Sequence, residues 1–329
     1  DSRPATEIPE SERFHFLEEW YPRYANTVPR DVASRAIWKV VRDMQMGIQG
    51  EDKVYLDLTH LDADFIRTRL GAILDIYGKF TGIDPTEQPM QIFPAPHYSM
   101  GGLWVDYERS ADGGLVTDSP RNHATSIPGL YACGECDYAY HGANRLGANS
   151  LLSTSFSGRL TGEAVVTYVH GLVDSCQQTD AAHYQTALQT QQAINQQLLN
   201  NSGKGQTNVY QLHHELGELM TSACGVVRDN QRIDAGIQAL SAIREQYAEV
   251  NITESGNWAN QGLTYARQLG DMIELSDGML AAARARDECR GSHYKPAFEL
   301  EIPQNSYPGD PAFEDYRRRW KENNLEWLK

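Results

Sequence analysis

Between positions 31 and 46 the apolar residues Val32, Ala36, Ile37, Val40, Val41 and Met44 recur every three to four positions, the spacing of one helix face. The period then changes: Val54, Leu56 and Leu58 alternate with Tyr55 and Asp57, which predicts a short strand. Asp62 opens a second helical pattern through Phe65, Leu70, Ile73, Leu74 and Tyr77 that closes near Gly82. Pro94, Pro96, Gly101, Gly102, Gly113, Gly114, Pro120 and Pro128 punctuate residues 92–131, which are expected to form a β region. Residues 130–132 are expected as a buried strand ending at Gly134. Residues 149–170 read as a helix with one small side (Ser153, Ser157, Gly158, Gly162), suited to lying close against a sheet or cofactor. Beyond Asp180 come four long amphipathic patterns, 181–199, 212–227, 233–250 and 265–290, joined by polar turns at 200–206, 229–231 and 251–260. They predict an antiparallel helical bundle. The Gln-rich first pattern keeps a helical period and so reads as a solvated helix face. The expected fold class is α+β, a small β-containing part beside a helical bundle.

Composition narrows the function. The chain has 329 residues, long enough to favour two domains, and 29 Lys plus Arg against 44 Asp plus Glu give a net charge of −15. Without a concentrated basic patch, nucleic acid is excluded as a partner. No stretch approaches 18 consecutive apolar residues, so the chain is not expected to cross a membrane by itself. Five cysteines, with no basic n-region leading into an apolar stretch, fit a reducing compartment. The chain begins at Asp1 and stops inside a helical pattern over residues 317–329, so a fragment or processed product is expected.

Several short motifs fail on chemical grounds. Cys133-Gly-Glu-Cys136 has CxxC spacing but no second pair to complete a zinc site and no βαβ pattern after it. His214-Glu215 lacks the second histidine of HExxH, since residue 218 is Glu, and Gly203-Lys204 lacks the upstream P-loop glycine. Asn251-Ile-Thr253 is a sequon with no use in an intracellular chain. No GxGxxG is present, so the dinucleotide fingerprint is missing. No metal site is expected.

What remains is a polar block: residues 96–102, then Gly134-Glu135, then 141–152. Arg145, set among glycines just before a helix start, offers a bidentate fork for a carboxylate. The helix start at residues 149–151 offers free N–H groups and a positive dipole end, suited to an anionic oxygen or a reduced, negatively charged cofactor. His97, beside a Gly-Gly turn, adds a second cation or donor, and Glu135 can accept from hydroxyls. Singly, each has a structural alternative: an ion pair for Arg145, a core histidine for His97, a turn residue for Glu135. Together they imply a small anionic substrate near a polyhydroxylated cofactor.

The block resembles the flavoprotein subunit of succinate dehydrogenase and fumarate reductase. The family's HY-x-MGG stands at residues 97–102, its IPGLYA-x-GE at 127–135 and its highly specific HGANRLG-x-NSLL at 141–152. The likeness extends upstream through Arg30, Asp31 and Arg35, similar to an RD-V-x-S-R segment, and downstream through Cys289 to Tyr294, similar to an SRG-x-H segment. It covers almost the whole chain, and the helical stretch matches the family's helical domain.

The resemblance implies oxidation of succinate to fumarate, or the reverse, by hydride transfer to FAD and proton transfer through an arginine. Arg30 falls on that proton-shuttling arginine; its structural alternative is a salt bridge to Asp31 or a capping contact. His97 and Arg145 fall on the substrate-carboxylate ligands, Glu135 on a flavin-contacting acid, and Ser150 and Leu151 on backbone that meets the flavin ring. It also implies that residues 1–92 are the remainder of a capping domain, 93–170 the C-terminal segment of the FAD-binding domain, 171–292 the helical domain and 293–329 a C-terminal segment. The family's dinucleotide-binding βαβ unit lies outside this sequence, so the main FAD-binding half is absent and the isolated chain is expected to be inactive. Expected partners are an iron–sulfur subunit and membrane anchor subunits, placing the protein peripherally on the cytoplasmic side of a membrane, or on the matrix side in mitochondria. This is electron-transport and tricarboxylic acid cycle chemistry. The alternatives are an L-aspartate oxidase-like flavoprotein, disfavoured because that relative departs from RLG-x-NSLL just after the arginine, and a non-catalytic helical fragment.

Overall fold

The computed structural model describes residue 3 and residues 5–256, 258–303 and 306–325. The last residues of the helical pattern expected at 317–329 therefore lie outside the described part. The chain divides into two compact units, Asp1–His97 and Tyr98–Lys329.

The first unit holds α1 (Phe16–Trp20), α2 (Arg30–Trp38), the strand β1 (Val54–Leu56), α3 (Ala63–Thr81) and β2 (Met90–Ile92). The 31–46 stripe forms α2 and continues as a π-helical turn through Lys39–Asp43. Ile37, Val40, Val41 and Val54 make a small core, against which Phe14, Phe16, Trp20, Ile92 and Phe93 pack. β1 and β2 pair antiparallel with Val54 opposite Ile92, so the expected strand exists but is three residues long. α3 keeps the limits read from the sequence. The Asp62 carboxylate accepts the Phe65 N–H at 2.8 Å, and Gly82 ends the helix in the left-handed conformation at φ +73°. Its apolar stripe is mostly uncovered: only Ile66 and Leu74 are buried, while Phe65, Ile73, Ile76 and Phe80 are exposed.

The second unit opens on an irregular stretch, then α4 (Asn149–His170) and the helices α5 (Ala181–Asn200), α6 (Val209–Cys224), α7 (Asn230–Ala248) and α8 (Gln261–Ala285). The β region expected at 92–131 does not form a sheet. Past β2 it contributes only isolated bridges, Leu103 to Asp137, Arg109 to Leu115 and Ala124 to Tyr131. The same holds for the strand expected at 130–132, where Ala132 is buried but Leu130 is exposed. Side chains hold this stretch instead of a ladder: the fully enclosed Asn122 donates to the Val116 carbonyl at 2.7 Å and accepts from the Glu108 N–H at 3.3 Å.

Each bundle helix begins at an Asp or Asn whose side chain accepts a first-turn N–H: Asp180, Asn208, Asp229 and Asn260. The core belongs to α6, α7 and α8, where Leu212, Leu216, Ile233, Leu240, Leu269, Ile273 and Leu280 are buried. Gly236 permits the close α6–α7 approach, since a Cβ there would lie 2.7 Å from the Ala223 Cβ. α5 buries one residue in this core, Leu198, with Leu199 packed against it, and leaves outside the solvated face its glutamines imply. Two-residue strands β3 (Thr207–Asn208) and β4 (Val250–Asn251) pair in parallel and tie the α6 start to the α7 exit. The chain ends in α9 (Pro311–Asn323). Among the described residues no helix is long and apolar enough to cross a membrane.

Candidate active site

Glu135, Arg145, Ser150 and Leu151 fall in the second unit, Arg30 and His97 in the first. Arg30 is the first residue of α2, behind Pro29, and is exposed, its side chain making no hydrogen bond or ion pair to a described residue. Asp31 pairs instead with Arg35, one helical turn on, at 3.1 Å. The salt-bridge alternative for Arg30 is thus not the arrangement this helix adopts. His97 is exposed.

Arg145 lies half-buried on the loop that leads into α4. Its guanidinium carbon sits 5.2 Å from the centroid of the Tyr98 ring, and one terminal N–H donates to the Leu146 carbonyl at 3.1 Å. The Nε is buried and has no acceptor among the described residues, which leaves a strong donor unsatisfied. His141 stands edge-on to the same ring at 5.2 Å, and its Nε2 is 3.0 Å from the Ser153 hydroxyl of α4. Tyr98 and His141 therefore hold the fork without neutralising it. Neither was singled out from the sequence. The available signal was their place inside the two motifs, Tyr98 beside His97 and His141 one helical turn's length before Arg145.

Glu135 occupies the 3₁₀ turn Gly134–Cys136, and its carboxylate accepts the Ser99 N–H at 2.8 Å. The Leu103 N–H donates to the Cys136 carbonyl at 2.8 Å, and the Gly134 N–H to the Ser157 hydroxyl of α4 at 2.9 Å. Motif segments distant in sequence thus form one hydrogen-bonded frame. Of the CxxC pair, Cys136 donates its thiol to the Cys133 carbonyl at 3.3 Å.

α4 starts abruptly, with Ala148 in the left-handed conformation at φ +61° and no side chain capping the helix. Among the described residues, the first-turn N–H groups, those of Ser150 and Leu151 included, have no side-chain acceptor at the positive end of a 22-residue helix. Leu146, Leu151 and Leu152 surround this end and are 76, 78 and 68 % exposed. The donors suit an anionic oxygen, and the apolar rim suits a flat ring system.

Beneath the Gly134 turn, His123 is buried between the Ala132 carbonyl at 3.0 Å and the Tyr140 hydroxyl at 2.6 Å. The Asp137 carboxylate lies 3.6 Å from its ring, and burial pushes the Tyr140 phenol up to about 12. A cavity of about 310 Å³ borders this cluster, lined by Tyr107, Arg109, Leu115, His123 and Tyr140 among others, with none of the motif residues in its wall.

The chain matches two known families: an FAD binding domain over residues 9–151 and a fumarate reductase flavoprotein C-terminal family over residues 213–324. Both matches and the relatives that follow make the chain similar to the flavoprotein subunits of the succinate dehydrogenase and fumarate reductase family. The succinate dehydrogenase flavoprotein subunit of Bacillus subtilis is 42 % identical over 316 residues, 96 % of this chain and 48 % of the relative. The fumarate reductase flavoprotein subunit of Escherichia coli is 31 % identical over 277 residues, 83 % of this chain and 42 % of the relative. A solved structure of E. coli quinol fumarate reductase superposes with a TM-score of 0.74 at 29 % identity, covering 91 % of this chain and 50 % of that one. The chain therefore spans about half the length of the flavoproteins it matches. FAD is the cofactor of this family, and its FAD-domain match runs from before Arg30 to the first turn of α4.

Proposed function

We propose that this chain is the later half of a flavoprotein subunit that interconverts succinate and fumarate. Residues 1–92 are read as the remainder of a capping domain, 93–170 as the returning segment of the FAD-binding domain, 171–292 as the helical domain and 293–329 as the C-terminal segment. The observation that carries the reading is Arg145: a half-buried guanidinium, steadied by a ring, whose Nε has no acceptor among the described residues. A substrate carboxylate satisfies that donor and a terminal N–H together, as a bidentate pair. His97 supplies the second carboxylate contact. FAD, when bound, supplies the acceptor or donor of hydride. The uncapped N–H groups of Ser150 and Leu151 favour negative charge on a flavin ring beside them, and Glu135 accepts from the cofactor's polar atoms.

Arg30 moves the proton. A guanidinium is a natural acid in the reductive direction, and reversibility gives it the basic role in oxidation. Its freedom from Asp31 supports that role, because an arginine committed to an ion pair is a poorer donor to carbon. An iron–sulfur subunit and membrane anchor subunits complete the electron path to quinone. The flavoprotein then sits peripherally at the membrane, on the cytoplasmic or matrix side. The isolated chain is expected to be colourless and inactive with succinate and an artificial acceptor.

The test is made in the complete FAD-loaded enzyme. Arg145→Lys keeps the charge but removes the planar fork, so the KM for succinate and the inhibition constant for malonate should rise at least tenfold. Arg30→Gln should lower kcat by about 100- to 10,000-fold with the flavin potential nearly unchanged, the usual span for losing general acid–base participation. Unchanged succinate and malonate constants in Arg145→Lys refute the carboxylate assignment; near-normal kcat in Arg30→Gln refutes the proton shuttle.

A further inference from the structure

The segment after α8 buries an unusual density of charge. Glu288, with a side chain fully enclosed, pairs with Arg286 and, at 2.9 Å, with Arg290. His293 is 3 % exposed; its Nδ1 accepts from the Arg228 guanidinium at 2.9 Å, and its Nε2–H donates to the Arg286 carbonyl at 2.9 Å. The Arg228 N–H donates to the Tyr294 carbonyl at 2.9 Å, binding the α6–α7 junction to the same place. Between these anchors the chain makes a tight turn, closed by the Arg290 N–H on the His293 carbonyl at 3.0 Å and the His293 N–H on the Arg290 carbonyl at 3.2 Å.

The tip of this turn meets the loop that carries Arg145. The Ser292 N–H donates to the Ala143 carbonyl at 3.0 Å, and its hydroxyl lies 3.4 Å from the Asn144 side-chain oxygen. Gly291 has φ +60°, and a Cβ there would fall 2.2 Å from the Ala143 oxygen and 2.5 Å from its carbonyl carbon. Both atoms belong to the backbone, so a side chain at 291 displaces the loop itself. Arg145 has little else to fix it beyond the adjacent Leu146 carbonyl and the Tyr98 ring.

We propose that Gly291 and Ser292 are positioning residues for Arg145: the turn, pinned by His293, Arg228 and Glu288, sets the backbone at Ala143 and Asn144 and through it the reach of the guanidinium. The inference rests on Arg145 being a carboxylate ligand. It adds that the helical end of the chain fixes the geometry of the substrate loop 148 residues away in sequence.

The experiment compares Gly291→Ala with Gly203→Ala in the complete FAD-loaded enzyme. Gly203 has φ +71° with nothing within 4 Å of a Cβ, so it carries the same left-handed strain without touching the loop. Gly291→Ala should raise the KM for succinate and the inhibition constant for malonate at least tenfold, with kcat within threefold and the flavin spectrum unchanged. Gly203→Ala should lower thermal stability yet leave both constants within twofold. Should Gly291→Ala not fold, His293→Gln loosens the pin without a clash and should raise both constants at least threefold. Arg145→Lys is measured alongside. If it weakens binding and the turn variants do not, the positioning role is overturned. If Arg145→Lys itself binds succinate and malonate normally, the carboxylate assignment has failed instead, and the inference falls with it.

Discussion

Acidification from pH 7.5 to pH 5 should weaken the second unit by about 2 kcal/mol through His293 alone. Burial first, then the neighbouring cations Arg286, Arg228 and Lys295, hold its pKa at about 4 against an ordinary 6.5, opposed only by the bond to the Arg286 carbonyl. An unfolded chain takes up this proton near pH 6.5, while the folded chain refuses it until about pH 4. Between those values the unfolded state binds more protons, so stability rises with pH and is lost as pH falls through 6.5. The whole gap, from 6.5 to about 4, amounts to roughly 3 kcal/mol. At pH 5 roughly two thirds of it is expressed, which corresponds to a fall in Tm of roughly 4–8 °C for a unit of this size. The carboxylates with depressed pKa, Asp57, Asp229 and Glu288 among them, lose their contribution only at still lower pH and do not confuse the window. Urea melts of the wild-type chain and of His293→Gln, which cannot titrate, at pH 7.5, 6 and 5 isolate the effect. The wild type should lose about 2 kcal/mol more than the variant over that range. Parallel pH slopes for the two proteins would refute the reasoning, because they would mean that His293 protonates as readily folded as unfolded.

Two substitutions test the packing. Gly236→Ala places a methyl 2.7 Å from the Ala223 Cβ and should destabilise the bundle by about 1–3 kcal/mol despite better helix propensity, whereas Gly217→Ala, with nothing within 4 Å, should stabilise it by about 0.5–1 kcal/mol; urea midpoints of the two variants are expected to move in opposite directions. Asp62→Ala removes the acceptor of the Phe65 N–H and should cost the first unit about 1 kcal/mol, read as an earlier unfolding midpoint.

Local signals proved legible where a single residue type determines local geometry. Asp62 and Gly82 bound α3 because one can cap an N–H and the other can turn left-handed, and Asn149 to His170 forms a helix over the whole expected span. The 92–131 stretch misled because prolines and glycines mark breaks without saying what lies between them. Gly101, Gly102 and Gly113 take positive φ there, so extended pieces stay too short to pair beyond single bridges. Burial direction was equally opaque: the α3 stripe has the right period, yet its members Phe65 and Ile73 are 55 and 58 % exposed. At the candidate site, Arg145, Glu135 and the helix start that holds Ser150 and Leu151 stand out in the sequence through chemistry carried by adjacent residues. The Arg228–His293 pair was not, since a bond across 65 residues leaves no periodic trace in the chain.

The three-helix core has a corollary for how the bundle opens. α5 keeps one buried residue, Leu198, near its C-terminal end, where Asn201 also donates to the Ala248 carbonyl at 2.8 Å. Its earlier turns are anchored to α8 through Gln191 and Arg267 and otherwise face water. Isolated helices of this length are marginal in water, so most of α5 has little to hold it once that contact breaks. It can therefore fray from Asp180 inward and re-form while α6, α7 and α8 stay shut, exchanging its amide protons through local opening while theirs await global unfolding.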